Sequence, residues 1–153
     1  MSQVLPDSEP PFDDSRRLTG PNPYFAGCGA AMEALGPRVR DPAALMAWAI
    51  GVQRMRHALG WSFVPLDGRV HASGATLPFP APPDQLFTAT EINEWAWCAA
   101  VGYTGFHAPG HPAAFDDVMA EDTLRRFAAA EARPDVIALL DAAAAHGVPT
   151  LLD

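Results

Sequence analysis

The segment Phe87–Gly102, FTATEINEWAWCAAVG, contains the clearest helix signal of the chain and decides how the rest is interpreted. Thr88 and Glu91 have the spacing of a capping box, in which each side chain bonds to the backbone N–H of the other residue. The glycine at the end of the segment is the residue that most often follows the last helical turn. The pattern predicts a helix from Ala89 to about Val101. Its tryptophan-rich apolar surface predicts that this helix is central to the fold.

A second helix is predicted upstream, from Pro42 to about Leu59. Asp41 is a natural N-cap, Pro42 suits the first helical position, and Gly60 suits the position just after the C-terminal end. Gly51 lies in the middle of this helix, where glycine costs about 1 kcal/mol relative to alanine. We therefore expect another element to pack closely against Gly51.

Strands are predicted from turn residues and from apolar runs. Trp61–Val64 has the composition of a strand, Asp67-Gly68 is a strong hairpin turn signal, and Arg69–Leu77 would be the return strand. By contrast, the glycine-rich Gly27–Ala30 precedes a short apolar stretch, Ala31–Leu35, which we interpret as one or two helical turns. The sheet is therefore expected to be built around the Asp67-Gly68 hairpin.

Two further helical segments are predicted towards the C-terminus, over 112–132 in one or two pieces and over 135–146. The second would direct four apolar residues inward: Val136, Leu139, Leu140 and Ala143. A short strand, 148–152, would follow. The fold class is therefore α/β, of the two-layer α+β type, with a small mixed sheet that contains a β-hairpin and packs against four or more helices.

One domain is predicted over residues 16–153, preceded by a flexible arm over residues 1–15 that is acidic and rich in proline. A strand is expected to begin at Arg16. Both a complete protein and the N-terminal part of a longer protein agree with this organisation.

The charged residues exclude several classes of function. The 153 residues include 18 acidic and 10 basic side chains, and the net charge of -8 repels nucleic acid and anionic membranes. All ten basic residues are Arg, and a chain without Lys has neither a Walker-A phosphate loop nor a pyridoxal Schiff base. Cys28 and Cys98 lack the spacing of a metal site, and no segment resembles a signal peptide. We expect a cytoplasmic protein with no metal and no cofactor.

A family resemblance rests on two stretches of the sequence. Arg16–Asn22, RRLTGPN, followed by the aromatic Tyr24, is similar to the start of cyanophycin synthetase, in which an R-G-P-N-aromatic segment opens the domain that precedes an ATP-grasp and a Mur-ligase domain. A group of bacterial Mur-ligase-family proteins is more similar still. They begin with RRLTGPN and contain T-E-x-N-E-W-A, which Thr90–Ala96 matches here. The resemblance covers about Asp14 to Asp153.

The resemblance implies a non-catalytic N-terminal domain that binds substrate or serves as a scaffold for an ATP-dependent carboxylate–amine ligase. Its partners would be the ligase catalytic domains, in cis or in trans, and its ligand class an amino acid or a peptide. This chain departs from the complete enzymes because it has no G-x-x-x-x-G-K-[ST] segment. Any amide-forming activity would therefore belong to other sequence, and we expect no catalytic residue here.

The first group of candidate binding residues surrounds the turn of RRLTGPN. Arg16 and Arg17 stand beside the Gly20-Pro21-Asn22 turn, and Asn22 closes it. Guanidinium groups and exposed backbone donors together suit a carboxylate or a phosphate. The simpler alternative is a pair of surface arginines on a strand that ends in a rigid turn.

The second group of candidates lies in the predicted central helix and consists of Glu91, Asn93 and Glu94. Glu91 and Glu94 are three residues apart and share one helix face, which suits a cation or an amine. The structural alternative is that Glu91 serves only in the capping box.

Two other functions remain open from the sequence. His107, His111 and Asp116 lie close together in a segment rich in glycine and proline, and a small self-contained enzyme would use them with or without a metal. The other alternative is a protein-interaction module that docks on a separately encoded ligase.

Overall fold

A computed structural model of the chain describes residues 10–103 and 117–147. The described part contains five strands and four helices: β1 (Phe12–Leu18), β2 (Gly29–Ala34), α1 (Pro42–Ala58), β3 (Arg69–His71), β4 (Gly74–Thr76), β5 (Phe79–Pro80), α2 (Leu86–Val101), α3 (Asp117–Glu131) and α4 (Pro134–Ala145). A small sheet packed against helices confirms the α+β class. No described helix has both the length and the apolar composition needed to cross a bilayer.

The strands form one sheet in the order β1-β2-β4-β3, and β5 pairs with β2 next to β4. Every strand pair among the described residues is antiparallel, so the mixed sheet expected from the sequence is corrected to an antiparallel one. The sheet also begins earlier than expected. β1 starts at Phe12 rather than at Arg16, and residues 12–15 therefore belong to the sheet and not to an arm.

The prediction of a short helix over Ala31–Leu35 is wrong, because this stretch lies largely in β2, a central strand. β2 is flanked by β1 on one side and by β4 and β5 on the other. At Gly29 the neighbouring strand approaches so closely that a Cβ atom would lie 2.1 Å from the carbonyl oxygen of Phe79. Glycine and alanine are needed here for close approach of the strands, which local sequence does not distinguish from a helix of small residues.

The predicted hairpin is also misplaced. The turn between the paired strands β3 and β4 lies at Ala72-Ser73 and not at Asp67-Gly68, and Trp61–Val64 is not a strand. Gly74 follows the turn, and a Cβ atom at this residue would lie 2.4 Å from the carbonyl oxygen of Ala34. The hairpin is therefore set by tight packing against β2 rather than by the Asp-Gly turn signal.

The α1 prediction is confirmed at both ends. Asp41 is the N-cap and its side chain accepts a hydrogen bond from the backbone N–H of Ala43, and Gly60 adopts φ +76° just beyond the C-cap. The expected close packing at Gly51 is confirmed too. A Cβ atom there would lie 3.1 Å from the Cβ of Ala96 on α2, so glycine lets the two helices approach each other.

A buried polar contact joins α1, α2 and the sheet. The fully buried amide of Asn93 accepts a hydrogen bond from Trp48 Nε1 at 2.8 Å and donates one to the carbonyl of Leu77 at 3.2 Å. Trp48 packs on Trp97 with ring centroids 5.0 Å apart, and Trp97 Nε1 donates to the carbonyl of Pro11. These contacts confirm that α2 is the central helix.

The start of α2 differs from the capping-box prediction. The helix begins at Leu86, so Thr88 lies inside the first turn and not at the cap. The free backbone N–H groups of this turn donate instead to the carboxylate of Glu131 on α3, from Phe87 at 2.7 Å and from Thr88 at 2.9 Å, and Thr88 Oγ1 donates at 2.7 Å. A carboxylate suits this position because it meets both the free donors and the positive end of the helix dipole.

The last two helices are shifted or more exposed than expected. α3 is continuous over Asp117–Glu131, and the earlier residues of the predicted helix, 112–116, lie outside the described residues, as does the predicted strand 148–152. α4 forms close to the predicted position, but the inward face assigned to it is wrong. None of its residues is buried, and the side chain of Leu139 is 68% exposed.

Replacing Glu131 tests the contact between α2 and α3. We expect Glu131→Ala to lower the free energy of unfolding by about 1–3 kcal/mol, because three donors at the start of α2 lose a charged acceptor. Urea denaturation followed by circular dichroism measures this. The matched control is Asp122→Ala, which removes an exposed ion pair with Arg126 and should change stability by less than about 0.5 kcal/mol. Equal losses in the two variants would contradict the capping role.

Replacing Gly29 tests the close packing of β2. We expect Gly29→Ala to destabilise the protein by about 2 kcal/mol or more, because the methyl group collides with backbone that cannot rotate away. Gly27→Ala is the control two residues earlier, where a Cβ atom would meet nothing within 4 Å, and we expect a change below about 0.5 kcal/mol. The same urea assay would disprove the packing argument if both variants retained full stability.

Candidate ligand-binding surface

The two faces of the sheet have different chemistry. The core-facing residues of β2 are Ala30, Met32 and Ala34, which pack in the hydrophobic core with residues of α1 and α2. Glu33 alternates with them and is paired in register with Thr76 of β4, which is in turn paired with Arg69 of β3. Residues paired in register share a face, so a polar surface lies on the side of the sheet away from the helices.

The turn of RRLTGPN is organised by Asn22. Its side-chain Nδ2 donates to the carbonyls of Gly20 and Gly27, each at 3.0 Å. Its Oδ1 accepts from the backbone N–H groups of Tyr24 at 2.9 Å and of Phe25 at 3.1 Å. With two donors and one acceptor engaged, the amide fixes the backbone that carries the two aromatic rings. Asn22 is thus a positioning residue, and its side chain is occupied by the turn.

Tyr24 connects arginines that come from opposite edges of the sheet. Arg16 of β1 donates from Nη2 to Tyr24 Oη at 3.2 Å, while its Nη1 forms an ion pair with Asp14 at 2.5 Å. Arg69 of β3 lies over the ring, with its guanidinium carbon 5.1 Å from the centroid. A cation over an aromatic ring is attracted to it and held in a defined orientation. Sequence reasoning included Arg16 and missed Tyr24 and Arg69.

A hollow of about 210 Å³ lies beside Tyr24. The described walls are aromatic, aliphatic and proline side chains together with one cation and one carboxylate. These lining residues are Tyr24, Phe25, Val64, Pro65, Asp67, Arg69, Pro78 and Pro80. Within the described residues, neither Arg69 nor Asp67 has an oppositely charged partner within 4 Å. The hollow therefore presents both signs of charge to a ligand on an otherwise apolar wall.

A polar network next to this hollow fixes the β3–β4 hairpin. His71 lies with Nδ1 at 3.1 Å from Ser73 Oγ and Nε2 at 3.2 Å from Thr76 Oγ1, and Ser73 Oγ donates to Glu33 Oε1 at 3.0 Å. In a serine hydrolase the imidazole lies between the hydroxyl and the carboxylate and removes the hydroxyl proton. Here the hydroxyl proton points directly to Glu33. The arrangement stabilises the turn and does not activate Ser73 as a nucleophile.

The candidates on α2 lie elsewhere. Asn93 is fully buried and occupied by Trp48 and Leu77, and Glu91 is buried as well. Glu94 is half-buried and accepts a hydrogen bond from Ser15 Oγ at 2.8 Å. These residues are on the helix side of the sheet. Arg16 is paired in register with Ala31, on the other face, and contacts Tyr24. The structure therefore does not bring the two groups of predicted binding residues into one site.

Arg17 does not line the hollow, and a further set of sequence candidates is not described by the structure. Arg17 is exposed and is paired in register with Ala30, whereas Arg16 is paired with Ala31, so the two arginines lie on opposite faces of the sheet. His107, His111 and Asp116 lie outside the described residues, so the alternative of a small enzyme that uses them stays a prediction. Among the residues that are described, no group of three or more His, Cys, Asp or Glu side chains could hold a metal ion.

Comparisons with known proteins identify no relative. No family model matches the chain, and neither the curated proteins nor the solved structures include a significant match. The resemblance to Mur-ligase-family proteins therefore rests on the two quoted motifs alone.

The two cysteines are free thiols with different environments. Burial together with the negative charge of Glu94 raises the pKa of Cys98 to about 12, and burial also raises the pKa of the half-buried Cys28. Because the thiolate is the reactive form, we expect iodoacetamide at pH 8 to alkylate Cys28 at least about tenfold faster than Cys98. Peptide mass spectrometry of the native protein measures both rates, and the urea-unfolded chain, in which both should react alike, is the control. Equal rates in the native protein would contradict the burial of Cys98.

Proposed function

We propose that this chain is a non-catalytic domain that binds an amino acid or the end of a peptide for an ATP-dependent amide ligase. The catalytic domains of the ligase would act in cis or in trans. The observation that carries the proposal is the hollow beside Tyr24, in which Arg69 and Asp67 offer opposite charges on an apolar wall. An amino acid combines the same three features: a carboxylate, an ammonium group and a side chain.

The charges match such a ligand in a specific way. The Arg69 guanidinium suits the ligand carboxylate, because charge-assisted hydrogen bonds are among the strongest that a polar site can make. The carboxylate of Asp67 suits the ammonium group. The aromatic and proline walls would take an apolar side chain, since pockets of this kind are mostly apolar with a few placed polar groups.

The motif that carries the family resemblance builds part of this hollow. Arg16 touches Tyr24, and Asn22 fixes the backbone of Tyr24 and Phe25, two of the wall residues. If the resemblance to amide ligases holds, a motif that carries it would be expected to shape a substrate-binding surface. This placement supports the proposal that RRLTGPN serves binding, although Asn22 acts through the turn and not by direct contact.

One observation favours the second candidate, a module that docks on a separate ligase. Met46 and Ile50 on α1 are 63% and 61% exposed, and Met46 borders an apolar hollow of about 370 Å³ between α1 and the β3–β4 hairpin. If docking uses this face, the double variant Met46→Glu/Ile50→Glu would lose co-purification with a ligase that lacks its own N-terminal domain. Retained co-purification would exclude this face.

The binding proposal is tested by NMR titration with L-leucine and with the dipeptide Ala-Leu. We expect saturable shifts of the backbone amides of Tyr24, Phe25 and Arg69 with at least one of these zwitterions. L-leucinamide lacks the carboxylate and N-acetyl-L-leucine lacks the ammonium group, and each should bind at this hollow at least about tenfold more weakly.

Charge-neutralising variants locate the site. Arg69→Gln and Asp67→Asn should each weaken L-leucine or Ala-Leu binding at least about tenfold, because each removes one of the two charges that the ligand meets. Arg125→Gln, on α3, is the matched control and should leave binding unchanged. Binding that survives both hollow variants would contradict the site, and ATP-dependent ligation by the chain alone would contradict a non-catalytic role.

A further inference from the structure

Arg56 is a buried cation in the last turn of α1. Its side chain belongs to a residue that is only 3% exposed, whereas arginines are seldom fully buried unless they are paired. Burial lowers the pKa of its guanidinium, because the charged form loses hydration when it is taken out of water. A charge in such a place calls for partners that compensate for the lost hydration.

The partners of Arg56 are neutral. Nε donates to the carbonyl of Pro80 at 3.2 Å, and Nη1 donates to Gln53 Oε1 at 3.3 Å. Gln53 is held in this orientation because its Nε2 donates to the carbonyl of Val64 at 2.6 Å. In the described part of the chain, no carboxylate lies within 4 Å of the guanidinium and Nη2 donates to no residue. The negative end of the α1 dipole offers only partial compensation.

The guanidinium lines a hollow of about 370 Å³, which adjoins the one beside Tyr24 and shares Val64 and Pro80 with it. Among the described residues that line it, Arg56 is the only charged one; these residues are Arg56, Gly60, Trp61, Ser62, Val64, Pro80, Ala81 and Pro82. The indole ring of Trp61 forms one wall of the hollow and is held in place because its Nε1 donates to Gln85 Oε1 at 3.2 Å. The hollow therefore combines one buried cation with an indole ring, prolines and a valine.

We propose that this hollow binds a small organic carboxylate, with one carboxylate oxygen accepting a hydrogen bond from Arg56 Nη2. The carboxylate supplies the negative charge that the guanidinium lacks in the described structure, in a site where partial exclusion of water strengthens the interaction. Since Nε and Nη1 are already engaged, the contact is through one nitrogen and not through a bidentate fork.

The apolar walls of the hollow favour an organic carboxylate over inorganic phosphate. The indole, proline and valine surfaces favour a ligand with an apolar body, and the volume falls in the range of small-molecule sites. For inorganic phosphate, the described lining offers only the Arg56 guanidinium and the Ser62 hydroxyl as free side-chain donors, and the other oxygens would face apolar walls. Both a free carboxylic acid and the C-terminal carboxylate of a peptide have the required chemistry. The site depends on Arg56, whereas the proposed function depends on Arg69 and Asp67, so each stands or fails without the other.

NMR titration with 4-methylpentanoate, and with 4-methylpentanamide as its uncharged match, tests the site. We expect the carboxylate to cause saturable shifts of the Arg56 Nε–H and Trp61 Nε1–H signals, and the amide to bind at least tenfold more weakly. An N-acetylated tetrapeptide ending in leucine, with a free or an amidated C-terminus, forms the second pair of probes. Tighter binding of the free acid or of the free-terminus peptide identifies the source of the carboxylate.

Variants separate binding from a structural role of Arg56. Arg56→Gln should weaken carboxylate binding at least tenfold, while Arg54→Gln, which removes an exposed charge from the same helix, should not. Ser62→Phe replaces a small lining residue by a large ring and leaves Arg56 in place, so it should obstruct the hollow and weaken binding at least tenfold even if Arg56→Gln fails to fold. The proposal is overturned if the acid and the amide shift these signals alike, if no probe binds, or if Ser62→Phe binds like the wild type.

Discussion

The fold depends on one buried amide, the side chain of Asn93. It is fully buried, and the indole of Trp48 donates to it while it donates to the carbonyl of Leu77. A buried polar group without partners would cost more than its hydrogen bonds contribute, so this contact requires α1, α2 and the end of β4 to be in place together. The ring of Trp48 then packs on Trp97, whose own indole N–H reaches Pro11 at the start of the sheet. One amide thus coordinates two helices with the sheet.

A second amide performs the same task for the candidate surface. Asn22 satisfies two carbonyls and two backbone N–H groups in a turn that would otherwise leave them to water. Because its side chain is short and its bonds are all local, the turn is fixed by its own sequence. This local turn also affects the sheet, because it holds Tyr24 where Arg16 of β1 and Arg69 of β3 both contact it. The motif shapes the hollow and places Arg16 against Tyr24, whereas the charged residues that line the hollow, Arg69 and Asp67, come from elsewhere in the chain.

The helix ends could be predicted where the residues that cap them are neighbours in sequence. Asp41 and Gly60 bound α1 as expected, because capping depends on neighbours in sequence. The start of α2 was predicted wrongly because the carboxylate that caps it comes from Glu131, 43 residues beyond Thr88. β2 was predicted wrongly for a similar reason. Its small residues are required by the close approach of the adjacent strands, and the sequence alone does not show which segments approach each other. Of the residues at the candidate surface, the sequence indicated only Arg16 and Asn22, because Arg69 and Asp67 come to line the hollow beside Tyr24 only through the fold.

The net charge of the protein predicts its interaction with polyanions better than its interaction with small anions. A charge of -8 opposes polyanions, which must approach over a wide area of the protein. A small anion meets only the groups within about one Debye length, roughly 8–10 Å at physiological salt, and more distant carboxylates are screened. Arg56 and Arg69 each line a hollow without a carboxylate in ion-pair distance among the described residues, and the two hollows share Val64 and Pro80 as walls. An acidic protein therefore has a local positive charge at Arg56 and both signs of charge in the hollow beside Tyr24. For a small ligand these local charges matter more than the total charge.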